Sequence, residues 1–299
     1  MTDFLQFLVA GVAVGSLYAL LALGFVIVYK ATGVINFAHG GLLLIGTYLT
    51  YELKEKQGLP FYLSVVLAMV ACAALGLIIE RLVLRHMVGQ PVFAVILVTI
   101  GLSIAMNQIV TWRWGFDLLN LNDPWGFRTY DVGGVIVALT NIVRVVAAGA
   151  LLAAFFAFFR RSRYGLAMRA TASDQEAAMA QGISAARIFG LSWAIAGATA
   201  AVAGVLLASG GRGLDPQLSY VPLLAIPAII LGGLDSTTGA VVGGLIIGIV
   251  EEMTKGYGPE HLPEFLGQNF HTVTPYVVLV AIMLVRPYGL FGTKEVERL

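Results

Sequence analysis

A series of long segments without Asp, Glu, Lys or Arg limits the possible folds more than any other property of the chain. These uncharged segments are residues 5–29, 31–51, 57–79, 86–112, 188–211, 216–234, 236–250 and 265–285. Crossing the hydrocarbon core of a membrane, about 30 Å thick, takes about 20 apolar residues of α-helix. Most segments reach this length. The sequence therefore predicts an all-α, polytopic transmembrane helical bundle of about 8–10 spans, some of them short or broken.

The composition excludes a soluble protein and several functional classes. Hydrophobic residues make up 59% of the chain and charged residues only 12%, about half the charged share of an ordinary globular domain. The net charge of +1 gives no basic surface for nucleic acid. Cys72 is the single cysteine and the four histidines lie far apart, so we expect no metal site. Because phosphate-binding-loop and hydrolase signatures are absent, we expect no cofactor and no catalytic residue in this chain.

The distribution of Lys and Arg predicts the orientation, since basic residues collect on the cytoplasmic side. The densest cluster flanks the long polar stretch at residues 160–187, which we place in the cytoplasm. Counting outward from it gives about nine crossings, including a span at residues 135–159 and a down-and-up pair at residues 221–250. The N-terminus is then periplasmic and the C-terminus, including Lys294 and Arg298, cytoplasmic. On this count eleven basic residues lie inside and six outside.

Proline and glycine indicate where the helices break and where they pack closely. Pro222, Pro227 and the pair Gly232-Gly233 predict a short or kinked segment over residues 222–234, packed inside the bundle. Small residues recur four apart at Gly11/Gly15 and Gly244/Gly248 and seven apart from Gly190 to Gly211. Such stripes predict close helix–helix packing within the chain, with a dimer interface or gating as the alternative.

The polar stretch at residues 160–187 contains a short predicted helix. Ser173-Asp174 supplies an N-cap, residues 175–180 are good helix formers, and Gly182 is a natural stop. Its pattern, Glu-Ala-Ala, three residues, Gly, resembles the loop through which ABC importer permeases dock on their ATPase subunits. The resemblance implies a coupling site formed by Arg169, Asp174, Glu176, Ala177, Ala178, Gly182 and Ile183. The alternative is an amphipathic connector lying on the membrane surface.

Ordered blocks along nearly the whole chain resemble the membrane permeases of branched-chain amino acid ABC importers, the LivH type. The most specific block is Gly33-Val34-Ile35-Asn36-Phe37-Ala38-His39-Gly40. Other blocks are residues 15–24, 79–81, 164–183, 203–206, 231–233, 243–245 and 286–292. In place of a Glu that many relatives carry after Ala-His-Gly, this chain has Gly41.

The resemblance implies a single permease domain over residues 1–299, in the inner membrane, with its coupling loop at residues 160–187. It also implies a second, related permease as heterodimer partner, two ATP-binding-cassette ATPases that hold ATP and Mg, a periplasmic binding protein and surrounding lipid. The expected cargo is a branched-chain or related hydrophobic amino acid. Urea or a short amide is the alternative cargo, and a self-sufficient secondary transporter or channel is the alternative class.

Asn36, His39, Gly40 and Gly41 form the candidate translocation path or inner gate. Asn36 and His39 carry hydrogen-bonding groups that are costly in hydrocarbon, and Thr32-Gly33 just before them predicts a helix break. A broken helix exposes backbone groups to a substrate. The alternative is that both side chains satisfy neighbouring backbone groups and hold the broken helix together.

Overall fold

The computed structural model describes residues 2–261 and 269–292, with side chains described over 2–258 and 269–292. The predicted tail charges Lys294 and Arg298 lie outside the described residues. The helices are α1 (Thr2–Thr32), α2 (His39–Tyr51), α3 (Phe61–Leu82), α4 (Val92–Trp114), α5 (Leu139–Arg161), α6 (Arg163–Ser173), α7 (Gln175–Ala180), α8 (Ala185–Ala208), α9 (Val221–Leu224), α10 (Ile226–Gly232), α11 (Thr237–His261) and α12 (Thr274–Val285). Short single turns at Glu52–Lys56, Leu84–Met87, Pro216–Tyr220 and Phe270–Thr272 connect some of them.

Over the described residues, six helices are long and apolar enough to cross a membrane. They are α1, α3, α4, α5, α8 and the Thr237–Gly258 part of α11, which confirms the predicted polytopic helical bundle. The other three predicted crossings correspond to shorter helices. α2 has 13 residues, about 20 Å of helix, which is less than the thickness of a hydrocarbon core.

The segment after α8 is broken, as its prolines predict. α9 ends at Leu224, α10 begins at Ile226 with Pro227 in its first turn, and α10 ends at Gly232. The prolines cannot donate the backbone hydrogen bonds that a continuous helix requires. Pro227, Ile229 and Leu231 are buried, in agreement with the prediction that this segment packs inside the protein.

Two sequence predictions were wrong in detail. The predicted span at residues 135–159 begins only at Leu139, because residues 135–138 pair with Thr129–Val132 as a two-stranded antiparallel hairpin. Its turn is Gly133-Gly134, and both glycines have positive φ, as a tight hairpin turn requires. The predicted span ending at Val250 continues to His261, so Glu251 lies within α11.

The described chain divides into two compact units. One comprises the described residues within 2–26, 125–148, 222–261 and 269–292, and the other comprises residues 27–124 and 149–221. In the first unit, Cβ atoms added at Gly11 and Gly15 would lie 2.7 and 2.8 Å from the Cα atoms of Ile249 and Leu245. The predicted glycine pairs therefore bring the α1 and α11 backbones into direct contact.

In the second unit, α8 packs against α3 and α2 through the predicted glycine stripe. A Cβ on Gly197 would overlap the carbonyl oxygen of Cys72 in α3, and one on Gly204 would overlap the hydroxyl of Thr47 in α2. Gly190 faces Leu77 and Glu80 of α3. The stripe therefore packs helices within the chain, as predicted. Its last member, Gly211, lies in a turn beyond the end of α8 and has a positive φ.

Candidate functional site

The predicted helix break lies between α1 and α2, at residues 33–38. Gly33 takes a left-handed conformation, with φ of +72°, and its N–H donates to the carbonyl of Tyr29 over 2.7 Å. Only glycine adopts this conformation without strain. The Thr32 hydroxyl donates to the Val28 carbonyl over 2.8 Å within the last turn of the helix. The conformation of Gly33 ends α1.

Asn36 starts the next helix. Its side-chain Oδ1 accepts from the Ala38 N–H at 2.9 Å, an Asx turn that places the backbone for the first residue of α2. The neighbouring Phe37 N–H donates to the Thr99 hydroxyl of α4 at 3.3 Å. Asn36 and Thr99 thus both accept hydrogen bonds from the backbone of the break, an arrangement that supports the bracing alternative for Asn36.

The three residues that follow the break are buried against neighbouring elements. His39 is 0% exposed. A Cβ at Gly40 would overlap the carbonyl oxygen of Ser219, and one at Gly41 would overlap the side chain of Met106. Both glycines therefore allow close packing of α2. A longer side chain at Gly41 requires Met106 to move.

A cavity of about 250 Å³ lies next to the break, inside the second unit. Its polar lining includes Thr32, Asn36, Glu80, Thr99 and Gln175, and its apolar walls come from residues of α1, α4 and α8, among others. Asn36 is 1% exposed, and its Nδ2 has no hydrogen-bond partner within the part of the chain that the structure describes. The cavity therefore combines apolar walls with an unused buried donor.

Glu80, at the end of α3, forms one side of the cavity and is held by an ion pair. Arg85 donates from Nη2 to Oε2 at 3.0 Å and from Nε to Oε1 at 3.3 Å. The Glu80 side chain is 2% exposed and that of Arg85 is 40% exposed. The two-point contact neutralises a buried carboxylate that would otherwise be costly.

The short helix predicted at residues 175–180 is present as α7, and both of its ends are capped by groups within the chain. Asp174 Oδ1 accepts from the Ala177 N–H at 2.9 Å, which confirms the predicted N-cap. At the other end, Gly182 has φ of +84° and donates to the Met179 carbonyl, while the Ile183 N–H donates to the Ala178 carbonyl at 3.1 Å. This pair of bonds is the Schellman arrangement that terminates helices at glycine.

Five side chains of α7 are exposed and one is buried. The exposed ones are Gln175, Glu176, Ala177, Met179 and Ala180, whereas Ala178 is 5% exposed. The helix is therefore anchored through Ala178 and presents two alanines together with three longer side chains. Arg169 lies on the preceding helix α6, which the sequence did not predict, and its guanidinium donates to the Phe159 carbonyl and lies 5.4 Å from the centre of the Phe159 ring. This contact joins α6 to the end of α5.

The predicted site residues fall into two groups, and the same cavity adjoins both. Asn36, His39, Gly40 and Gly41 lie at the start of α2, and the coupling residues lie on and around α6 and α7. Gln175, the first residue of α7, lines the same cavity as Asn36. No local signal in the sequence indicated that the break and α7 meet here, because 139 positions separate the two residues.

Two hydrogen bonds between distant residues were also missed. Asn107 of α4 donates through Nδ2 to the Pro216 carbonyl and to the Ser219 hydroxyl, at 3.2 and 2.9 Å. In the other unit, the Tyr18 hydroxyl donates to Glu251 Oε2 at 2.7 Å. The only available signal for either contact was a polar residue within an apolar helix. Such a residue does not indicate which other residue it contacts.

Comparison with known proteins identifies the family. The profile of the family described as "Branched-chain amino acid transport system / permease component" matches residues 7–285. The chain belongs to this family. As a family member with six long apolar helices among its described residues, it is a multi-pass membrane permease.

Curated members of this permease family are similar to the chain over nearly its full length. LivH from Escherichia coli, a high-affinity branched-chain amino acid transport system permease, is 33% identical, covering 99% of this chain and 97% of its own length. BraD from Pseudomonas aeruginosa, named for the same function, is 32% identical with 99% and 98% covered. A probable LivH from Methanocaldococcus jannaschii is 29% identical with 95% and 92% covered.

Proposed function

We propose that this chain is a membrane permease subunit of an ATP-binding-cassette importer for branched-chain amino acids. The observation that carries the proposal is the full-length similarity to permeases named for this transport. Urea and short amides are less favoured as cargo because LivH and BraD are named for branched-chain amino acids. A fructose import permease, FruF from Bifidobacterium longum, is only 24% identical over 83% of this chain.

The proposed assembly contains partners that supply what this chain lacks. A second, related permease completes the path, a periplasmic binding protein delivers the amino acid, and two ATPase subunits hold ATP and Mg. The permease itself is non-catalytic. Its N-terminus is placed in the periplasm and its C-terminus in the cytoplasm of an inner-membrane protein, following the positive-inside distribution.

In this mechanism α7 receives the movement of the ATPases. A capped, exposed helix fits a groove on a partner, which is a common mode of helix recognition. The Arg169–Phe159 contact would pass a displacement of α6 and α7 to the transmembrane helix α5. Asn36, His39, Gly40 and Gly41 are proposed to form or to brace the inner gate.

A self-sufficient ion-coupled transporter is the competing class, and it predicts ionisable groups buried in several spans as ion or proton sites. Glu80, paired with Arg85, and Glu251, which accepts a hydrogen bond from Tyr18, are two carboxylates within apolar helices. ATP-driven transport is therefore favoured by the similarity to transport-system permeases and not by these side chains.

The decisive experiment reconstitutes the permease with its partner subunits and cognate binding protein in proteoliposomes. ATP turnover and uptake are measured with leucine, isoleucine and valine, and then with other amino acids, a short amide and urea. We expect stimulation by the three branched-chain amino acids. Stimulation by urea or an amide alone would change the cargo, and gradient-driven uptake without ATPases would contradict the proposal.

The path and bracing alternatives at the break are separated by substitution. In the same vesicles, a path role for Asn36 or His39 predicts that Asn36→Ala or His39→Ala lowers uptake while thermal stability is unchanged. A bracing role predicts that stability falls with uptake. Unchanged uptake in stably assembled complexes would remove the path hypothesis.

A further inference from the structure

The cavity beside the helix break has features that packing alone does not explain. A volume of about 250 Å³ exceeds the roughly 150 Å³ of an engineered cavity that binds benzene, and is below the roughly 300–1,000 Å³ of pockets for drug-sized ligands. It therefore fits a small organic molecule. Evolved interiors contain few empty spaces of this size.

The polar groups of the cavity define the chemistry of such a molecule. The Asn36 Nδ2 is buried and has no partner among the described residues, and an unused buried donor costs free energy until an acceptor arrives. Glu80 contributes a carboxylate, and ionised carboxylates offer about four acceptor sites, of which Arg85 occupies two. The cavity thus offers a donor for a carboxylate and spare acceptor capacity for an ammonium group.

The remaining walls are aliphatic or aromatic. Val28, Ile35, Val95, Phe189 and Trp193 line the cavity, and all but Ile35 are buried. A branched aliphatic side chain fits such a surface through burial of apolar area. We infer that this cavity is a binding site for a small aliphatic amino acid, held by its carboxylate near Asn36 and its ammonium group near Glu80.

The location of the cavity gives this site a consequence for transport. Gln175 both lines the cavity and begins α7, so a bound amino acid adjoins the first residue of the proposed coupling helix. This part of the inference rests on the proposed function, which places α7 in the cytoplasm. An amino acid that accumulates in the cytoplasm then binds beside α7 and slows further import, a form of product inhibition.

Binding is tested first, on the assembled complex without binding protein or nucleotide. Radiolabelled leucine is titrated by equilibrium binding while tryptophan fluorescence is followed, because Trp193 is in the cavity wall. We expect saturable binding with a spectral change that Trp193→Phe abolishes. Isocaproate, which lacks the ammonium group, and isoamylamine, which lacks the carboxylate, should each bind at least about tenfold more weakly, since each loses a charge-assisted hydrogen bond.

Two variants and one matched control locate the site. Val95→Phe fills the cavity from α4, and Asn36→Asp keeps the oxygen that caps α2 while removing the amide donor. Each should weaken leucine binding at least about tenfold. Val98→Phe makes the same change one turn further along α4, at a residue that does not line the cavity, and should bind leucine like the wild type.

Inhibition is tested in proteoliposomes with leucine added on the ATPase side. Wild-type uptake, relative to its own rate without added leucine, should fall, whereas Val95→Phe should keep its relative rate. The site would be overturned if leucine did not bind, or if Val95→Phe bound leucine as well as the wild type does. It would also be overturned if a lipid co-purified with the wild type but not with Val95→Phe, and leucine did not compete with that lipid. If the complex imports leucine yet does not bind it without the binding protein, this inference fails while the proposed function stands.

Discussion

The contact between α1 and α11 and the break between α1 and α2 show two ways in which a transmembrane chain brings backbone segments together. At the contact between α1 and α11 the facing residues have no side chains. The glycines there allow one helix backbone to touch the other, and they are Gly11, Gly15, Gly244 and Gly248. At the break, polar side chains replace lost helical hydrogen bonds, with Asn36 and Thr99 accepting from the backbone.

This contrast indicates where each region can change. Close glycine packing has no spare volume, so it acts as a rigid unit and tolerates no added atoms. The break retains a cavity and an unused donor, and its conformation depends on a few hydrogen bonds. Movement and ligand binding are therefore expected at the break, and the glycine contact is expected to stay fixed.

The largest predicted effect is at the glycine contact. Gly248→Leu would force side-chain atoms into the backbone of Gly15, and we expect a loss of more than about 3 kcal/mol because neither backbone can move aside easily. The measurement is the yield of monodisperse permease and its thermal unfolding in detergent. Gly101→Leu is the control, since a Cβ there has no described atom within 4 Å. Equal behaviour of the two variants would contradict the rigid contact.

An intermediate effect is predicted at the buried ion pair. Arg85→Ala leaves the Glu80 carboxylate, 2% exposed, without its partner, and we expect a loss of about 2 kcal/mol, less than for a fully buried pair because the Arg85 side chain is partly exposed. Thermal unfolding of the complex measures it, with exposed Arg81→Ala as the control. Adding Glu80→Gln to Arg85→Ala should recover much of the loss, and a further loss instead would show that the charge of Glu80 has another partner.

The smallest predicted effect is at the cap of α7. Asp174→Ala removes the acceptor for the Ala177 N–H, which costs about 1 kcal/mol of local helix stability. Global unfolding should be unchanged, while ATP-driven uptake falls several-fold if α7 is the coupling helix. Asp174→Asn keeps a capping oxygen and should behave like the wild type. Full uptake by Asp174→Ala would remove the requirement for a preformed α7.

The sequence predicted the features that local rules determine. The end of α1 at Thr32-Gly33, the α7 bounds and the stop at Gly182 all depend on residues within one or two turns. Local rules could also have predicted the hairpin at residues 129–138. Gly133-Gly134 lies between two short runs of residues with high β-strand propensity. The hairpin was not predicted because the second run is apolar and directly precedes α5. This run was therefore assigned to the transmembrane span.

The sequence could not predict contacts between residues far apart in the chain. Asn107 and Ser219 are 112 positions apart, and Phe37 and Thr99 are 62 apart. Which polar groups in a bundle meet depends on how the helices are arranged, and no local pattern specifies that arrangement. The cavity was unpredictable for the same reason, since it requires residues of α1, α3, α4, α7 and α8 together.

The capped ends of α7 affect how quickly the proposed importer completes a transport cycle. Because Asp174 and Gly182 complete the hydrogen bonding of this helix from within the chain, α7 needs no partner to take its shape. A partner that binds it does not have to supply the conformational entropy of ordering the segment. The motor subunits could then release and recapture this helix at each turnover without the delay of refolding it.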